Sequence, residues 1–130
     1  SAAIVLLRKR IVVRANRRLA EMLAYADDEL VGRSTRLWYP DDATSERIGE
    51  EAYGRLAAGD VYRGEVELCR KDGSCFWCRL SIRAIDTDDL ARGVVAIVED
   101  ITVRRTAEDA LRRSEHRFRS VFEHAATGIA

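Results

Sequence analysis

Between Tyr62 and Thr102 the chain carries two β-patterned stretches around a short turn, a third such stretch, and an immediate passage into a helix. The first pair is Glu65-Val66-Glu67-Leu68-Cys69-Arg70 and Cys75-Phe76-Trp77-Cys78-Arg79-Leu80-Ser81-Ile82, joined by Lys71-Asp72-Gly73-Ser74. The third is Gly93-Val94-Val95-Ala96-Ile97-Val98-Glu99, which runs into Asp100-Ile101-Thr102. A sheet that hands its last strand to a helix with so little slack can pass strain or motion from one to the other.

The turn admits two registers with opposite consequences. A two-residue Asp72-Gly73 turn sets Glu65 and Glu67 on the face of Phe76, Cys78 and Leu80. A three-residue Lys71-Asp72-Gly73 loop, with Gly73 left-handed in a bulge, sets Val66 and Leu68 there instead. A one-residue slip exchanges the two faces of a strand. Burying two unpaired glutamates costs several kcal/mol, whereas burying Val and Leu gains about 1.5–3 kcal/mol each. The bulged turn is therefore expected.

Two further apolar runs, Ala2 to Leu7 and Ile11-Val12-Val13, flank Arg8-Lys9-Arg10 and suggest another hairpin. Asn16 is a good N-cap for a helix carrying Leu19, Met22 and Leu23. Asp27-Asp28 begins a short helical turn with Leu30 and Val31, stopped at Gly32. Pro40-Asp41-Asp42 leads into a longer helix in which Ile48, Ala52 and Leu56 repeat every four residues, closed by Gly59. Strands and helices in this mixture point to an α+β domain.

The 130 residues suffice for one domain with its own core. With 22 basic and 22 acidic residues the formal net charge is zero, so no nucleic-acid partner is expected. No apolar run reaches the roughly 20 residues of a membrane span, and no signal-peptide pattern is present, so no membrane contact is expected. A cytoplasmic location follows as an expectation, compatible with a membrane-anchored parent protein. Cys69, Cys75 and Cys78 are an odd number, which argues against a disulfide framework and fits a reducing compartment.

After Thr102 the sequence is helical and strongly charged. Ala107, Ser114 and Val121 lie seven apart, as do Leu111, Phe118 and Ala125, the spacing of a coiled-coil seam. Ala107 and Ser114 bury little, so a helix folded on its own domain is the competing reading.

Several stretches resemble the bacterial PAS domain with its C-terminal PAC segment, and together they cover essentially the whole chain. They are Ala15-Asn16-Arg17-Arg18-Leu19-Ala20-Glu21-Met22-Leu23, Asp28-Glu29-Leu30-Val31-Gly32-Arg33-Ser34, Tyr39-Pro40-Asp41-Asp42, Lys71-Asp72-Gly73-Ser74 with Phe76-Trp77, and Asp100-Ile101-Thr102. The resemblance implies a five-stranded antiparallel sheet in the order 2-1-5-4-3, helices on one face over a central cavity, and a C-terminal connecting helix. It divides the chain into a sensory domain over 1–102 and a signalling helix over 103–130. Arg113 to Ala130 is similar to the opening of a further PAS unit, which implies a modular parent protein.

Such domains act as non-catalytic sensory modules that relay ligand or dimer-state changes to a histidine kinase, diguanylate cyclase or phosphodiesterase in the same chain. The alternative is a ligand-free scaffold that dimerises and spaces neighbouring modules. On the sheet, the pocket is expected to use Val66, Leu68, Phe76, Cys78, Leu80, Ile82, Val95 and Ile97. The helices would offer Met22, Leu37, Ile48, Ala52, Tyr53 and Leu56. The competing reading is solid core with no room for a ligand.

By the same resemblance Glu29 and Lys71 would pair across the fold and, with Asp100, Ile101 and Thr102, form the signal relay, Thr102 serving as N-cap. A homodimer would use the outer sheet face around Trp77 and the seam through Leu111 and Phe118. Haem-binding members use a histidine on the long helix, and Asp42 to Gly59 has none. Covalent flavin photochemistry needs a cysteine where Gly32-Arg33-Ser34-Thr35 has threonine. The expected cofactor is therefore none, or an unidentified small molecule. Cys75 and Cys78 are three apart on a strand and point to opposite faces, so no metal site is expected. In the bulged register Cys69 faces Cys75, where oxidation could form a cross-strand bridge. There is no phosphate loop or catalytic triad pattern, and no enzyme activity is expected of the domain itself.

Overall fold

Strands β1 (Ala3–Arg8), β2 (Ile11–Ala15), β3 (Tyr62–Cys69), β4 (Cys75–Ala84) and β5 (Val94–Asp100) form one sheet in the order β2-β1-β5-β4-β3. Every neighbouring pair is antiparallel. Helices α1 (Arg17–Leu23) and α2 (Asp42–Ala57) and a 3-10 turn at Thr35–Trp38 lie between β2 and β3 in sequence. The structure is a computed structural model that describes residues 2–129, with side chains at 120 and 122–129 outside the described set. The seam position Ala125 and the histidine His124 therefore lie outside the described side chains. The chain falls into two compact units, Ser1–Asp100 and Ile101–Ala130.

Each hairpin is set by its turn. Lys9 and Arg10 both take left-handed backbone, at φ 51° and 64°, the combination that matches strand twist in a two-residue connection. In the second hairpin Val66 pairs with Cys78, Leu68 with Phe76 and Cys69 with Cys75. Gly73 sits at φ 91° inside the three-residue loop, and Arg70 N–H donates to Ser74 O at 2.7 Å. This is the bulged register, with Val66 and Leu68 buried. Cys69 and Cys75 face each other and are joined as a disulfide, while Cys78 is free and buried. The odd cysteine count was thus a poor guide to this pair, because cross-strand register brings the two together.

The inward face of β5 is Val94, Ala96 and Val98, not the expected Val95 and Ile97. Val98 is 3% exposed and Ile97 41%. Five successive apolar residues hide the two-residue period of a central strand. Pairing of Ala96 with Val5 and Ile82, and of Val98 with Leu80, decides it.

Asn16 caps α1 and also fastens it to the sheet. Its Oδ1 accepts from the N–H of Leu19 and of Ile4, each at 3.0 Å, and its Nδ2 donates to Ala2 O at 2.7 Å. The Asp27-to-Gly32 stretch is a set of turns rather than a helix, with Leu30 buried beneath it. Asp41 caps α2 through Thr44 N–H at 2.7 Å, and Ile48, Ala52 and Leu56 form its buried stripe.

In the second unit α3 runs from Thr102 to Ile129. Ile101 O accepts from Arg105 N–H at 2.9 Å, so Ile101 holds the cap position and Thr102 opens the first turn. That moves the expected cap by one residue. Leu111 and Phe118 are 60% and 74% exposed.

Candidate functional site

A cavity of about 30 Å³ lies between the concave sheet face and α2. That is room for a couple of waters or a ligand of a few heavy atoms. Of the expected pocket residues it is lined by Ile48, Ala52, Tyr53, Leu68, Leu80 and Ile82. Val66, Phe76, Cys78 and Leu56 are buried in the core, and Met22 and Leu37 are partly buried against it, but none of these lines the cavity. Val95 and Ile97 are on the other face of the sheet.

The polar part of the wall was not foreseen from the sequence. Arg10 leaves the β1–β2 turn and its Nη2 donates to Ser45 O at 2.7 Å and to Ser45 Oγ at 2.9 Å. The guanidinium lies over Gly49 so closely that a Cβ there would meet Nη1 at 2.6 Å. The same residue's carbonyl accepts from Thr35 N–H at 3.0 Å, so Arg10 ties the turn, the 3-10 segment and α2 together. The available signal was a glycine on the buried stripe of a helix, Gly49, one residue after Ile48.

Thr35 and Tyr53 also line the cavity; the Thr35 hydroxyl is buried without a hydrogen-bond partner, while the Tyr53 hydroxyl lies against the Arg10 backbone, which bonds to it. Burial pushes the Tyr39 phenol up to about 12, against the opposing pull of a hydrogen bond with Trp38 and the Arg10 charge. Tyr53 is raised for the same reason, again opposed by Arg10. Both phenols are therefore neutral donors at pH 7. The Cys78 thiol is pushed up to about 12 by burial and by the Asp100 charge, which leaves it protonated and unreactive.

Glu29 and Lys71 meet, with Nζ 2.7 Å from Oε2. The second Glu29 oxygen accepts from Ala26 N–H at 2.9 Å, and Lys71 N–H donates to Leu23 O at 2.9 Å. The hairpin loop is thus pinned to the end of α1 by backbone and side chain together. The bond from Lys71, then that from Ala26, holds the Glu29 carboxyl below its ordinary range. Asp100 ends β5 and Thr102 begins α3, with only Ile101 between. Among the described residues no group of three or more metal-ligating side chains is found.

The PAS domain family model matches residues 1–103. The chain belongs to the PAS domain family. The sensor protein TdiS of Thauera aromatica is 37% identical over 112 residues, which is 86% of this chain and 20% of that protein. The chain thus spans about a fifth of that relative's length. Among solved structures, the PAS domain of a LuxR-family transcriptional regulator from Burkholderia thailandensis, in complex with ethanol, is 32% identical with a TM-score of 0.71. That match covers 77% of this chain and 88% of the other. A sensory box histidine kinase/response regulator from the same organism shares the fold at 22% identity and a TM-score of 0.68, covering 92% of this PAS domain and 91% of the other chain. A light-oxygen-voltage domain shares it at 22% identity and a TM-score of 0.68, over 90% and 89% of the two chains. This PAS domain has Thr35 where covalent flavin chemistry needs a thiol.

Proposed function

We propose that this PAS domain is a non-catalytic sensory module of a larger cytoplasmic signalling protein. Its signal would be relayed through α3 to an effector in the same chain, with a histidine kinase first and a diguanylate cyclase or phosphodiesterase as the other candidates. The observation that carries this reading is the dual use of β5. Val94, Ala96 and Val98 line the cavity, and the same strand reaches α3 across a single residue. A cavity ligand that binds two strand positions unequally biases whatever α3 drives. The name of the related sensor protein supports the same reading.

In this scheme Glu29 and Lys71 couple the α1 segment to the hairpin, and Asp100, Ile101 and Thr102 form the exit. Homodimerisation would use the outer face at Trp77 and the exposed Leu111 and Phe118 of α3. The segment 103–130 would then be the signalling helix, leading into a second PAS unit. In a reducing cytoplasm the Cys69–Cys75 bridge would be held open as two thiols. No helix among the described residues is long and apolar enough to cross a membrane.

Native mass spectrometry of freshly purified protein tests the reading. A bound small molecule at one per chain is expected. Dimers that carry no small molecule would instead favour the spacing scaffold. Replacing Leu111 and Phe118 by glutamate is expected to weaken self-association, and unchanged sedimentation would remove α3 from the interface.

A further inference from the structure

The cavity is apolar along the sheet, where Leu80, Ile82 and Val98 line it, and polar at one end. Its one cation, Arg10, is half-buried, and among the described residues no carboxylate pairs with it. Desolvating an arginine without an anion is costly, and two hydrogen bonds from Nη2 to Ser45 leave the charge itself uncompensated.

An orphaned hydroxyl accompanies it: Thr35 is 3% exposed with Oγ1 unpartnered, and the buried Tyr53 hydroxyl beside the Arg10 backbone offers a further donor. Buried polar groups without partners are rare and ask for an explanation. A neutral ligand oxygen would satisfy one hydroxyl and leave the guanidinium as it is. A carboxylate accepts several hydrogen bonds, pairs with the guanidinium and leaves its apolar tail for the sheet.

We propose that this cavity binds a two- or three-carbon monocarboxylate, its carboxylate held by Arg10 with Thr35 and Tyr53 and its alkyl tail set against Leu80, Ile82 and Val98. The proposal rests on the sensory reading of the cavity and adds the charge of the ligand. Acetate and propionate match ethanol and 1-propanol in size, so charge separates the two classes where bulk does not.

The test is a titration of the 130-residue protein with propionate, 1-propanol and propionamide, followed by amide shifts of Thr35, Gly49, Ala96 and Val98. Propionate should saturate these shifts at least tenfold more tightly than 1-propanol or propionamide, and Arg10→Met should lose that preference. Equal or tighter binding of 1-propanol would overturn the carboxylate while leaving a cavity sensor intact. Shifts with none of the three would overturn the monocarboxylate, while the sensory reading is decided separately by the small molecule found in native mass spectrometry. The comparison on the unaltered protein decides the matter even if Arg10→Met unfolds.

Discussion

Two glycines of α2 should respond to alanine in opposite directions. Gly49 is buried and its added Cβ would lie 2.6 Å from Arg10 Nη1 and 2.8 Å from Cζ, while Gly54 is exposed with nothing within 4 Å. In an ordinary helix interior, Gly→Ala stabilises by about 0.5–1 kcal/mol. Gly54→Ala should show that gain. At Gly49 the guanidinium must swing away, because it is the far end of a flexible side chain and the helix backbone cannot yield. Ser45 Oγ, in a residue with 0% exposure, then loses its donor at 2.9 Å and Ser45 O loses one at 2.7 Å. Leaving a buried polar group unpaired costs about 1–3 kcal/mol. Net destabilisation of roughly 1–2 kcal/mol remains after the helix gain is subtracted.

For a domain of this size that is a fall of about 4–15 °C in Tm, at 4–8 °C per kcal/mol. Thermal unfolding followed by circular dichroism, with urea titration as a second measure, reads both variants. In an Arg10→Ala background the Gly49→Ala penalty should vanish, since the clash and the lost bonds share one side chain. If Gly49→Ala stabilises the protein as much as Gly54→Ala, the placement of Arg10 over α2 is wrong.

Alkaline pH should destabilise the fold through Cys78. Its folded thiol stands at about 12 against an ordinary 9.0, so the unfolded chain loses its proton first. Stability is whole below pH 9 and drains as pH rises toward 12, by about 2 kcal/mol at pH 10.5. The loss between pH 8 and 10.5 in urea should shrink by about that amount in Cys78→Ala, leaving the part that the raised Tyr39, Tyr53 and Tyr62 phenols carry, and an undiminished loss in that variant would refute the assignment. Asn16→Ala should cost about 1–2 kcal/mol, as one side chain caps α1 and ties it to β1; a change under 0.5 kcal/mol in urea would contradict this. Val98→Ala should cost about 2 kcal/mol and Ile97→Ala under 1 kcal/mol, and equal losses would reverse the facing of β5.

Local chemistry was legible where one residue or one turn settles the outcome. Asn16, Asp41 and Gly73 each announce a cap or a turn, and the three-residue loop at Gly73 settled which face of β3 is buried. The periodic stripe of Ile48, Ala52 and Leu56 was equally plain, since α2 has a polar side to contrast with it. On β5 that contrast is missing, so its facing came out reversed. Asp27-Asp28 also misled, because short polar turns and short helices share the same opening residues.

The order of the chain, its caps and its hairpin register are written into neighbouring residues, because backbone geometry and turn chemistry act over a few positions. The cavity's polar end is different. Arg10, Thr35, Ser45 and Tyr53 come from a turn, a 3-10 segment and a helix, and no spacing in the chain links them. Only folding brings that cation and those hydroxyls to one cavity, since such a meeting depends on how a strand turn and a helix pack across the sheet rather than on any local rule.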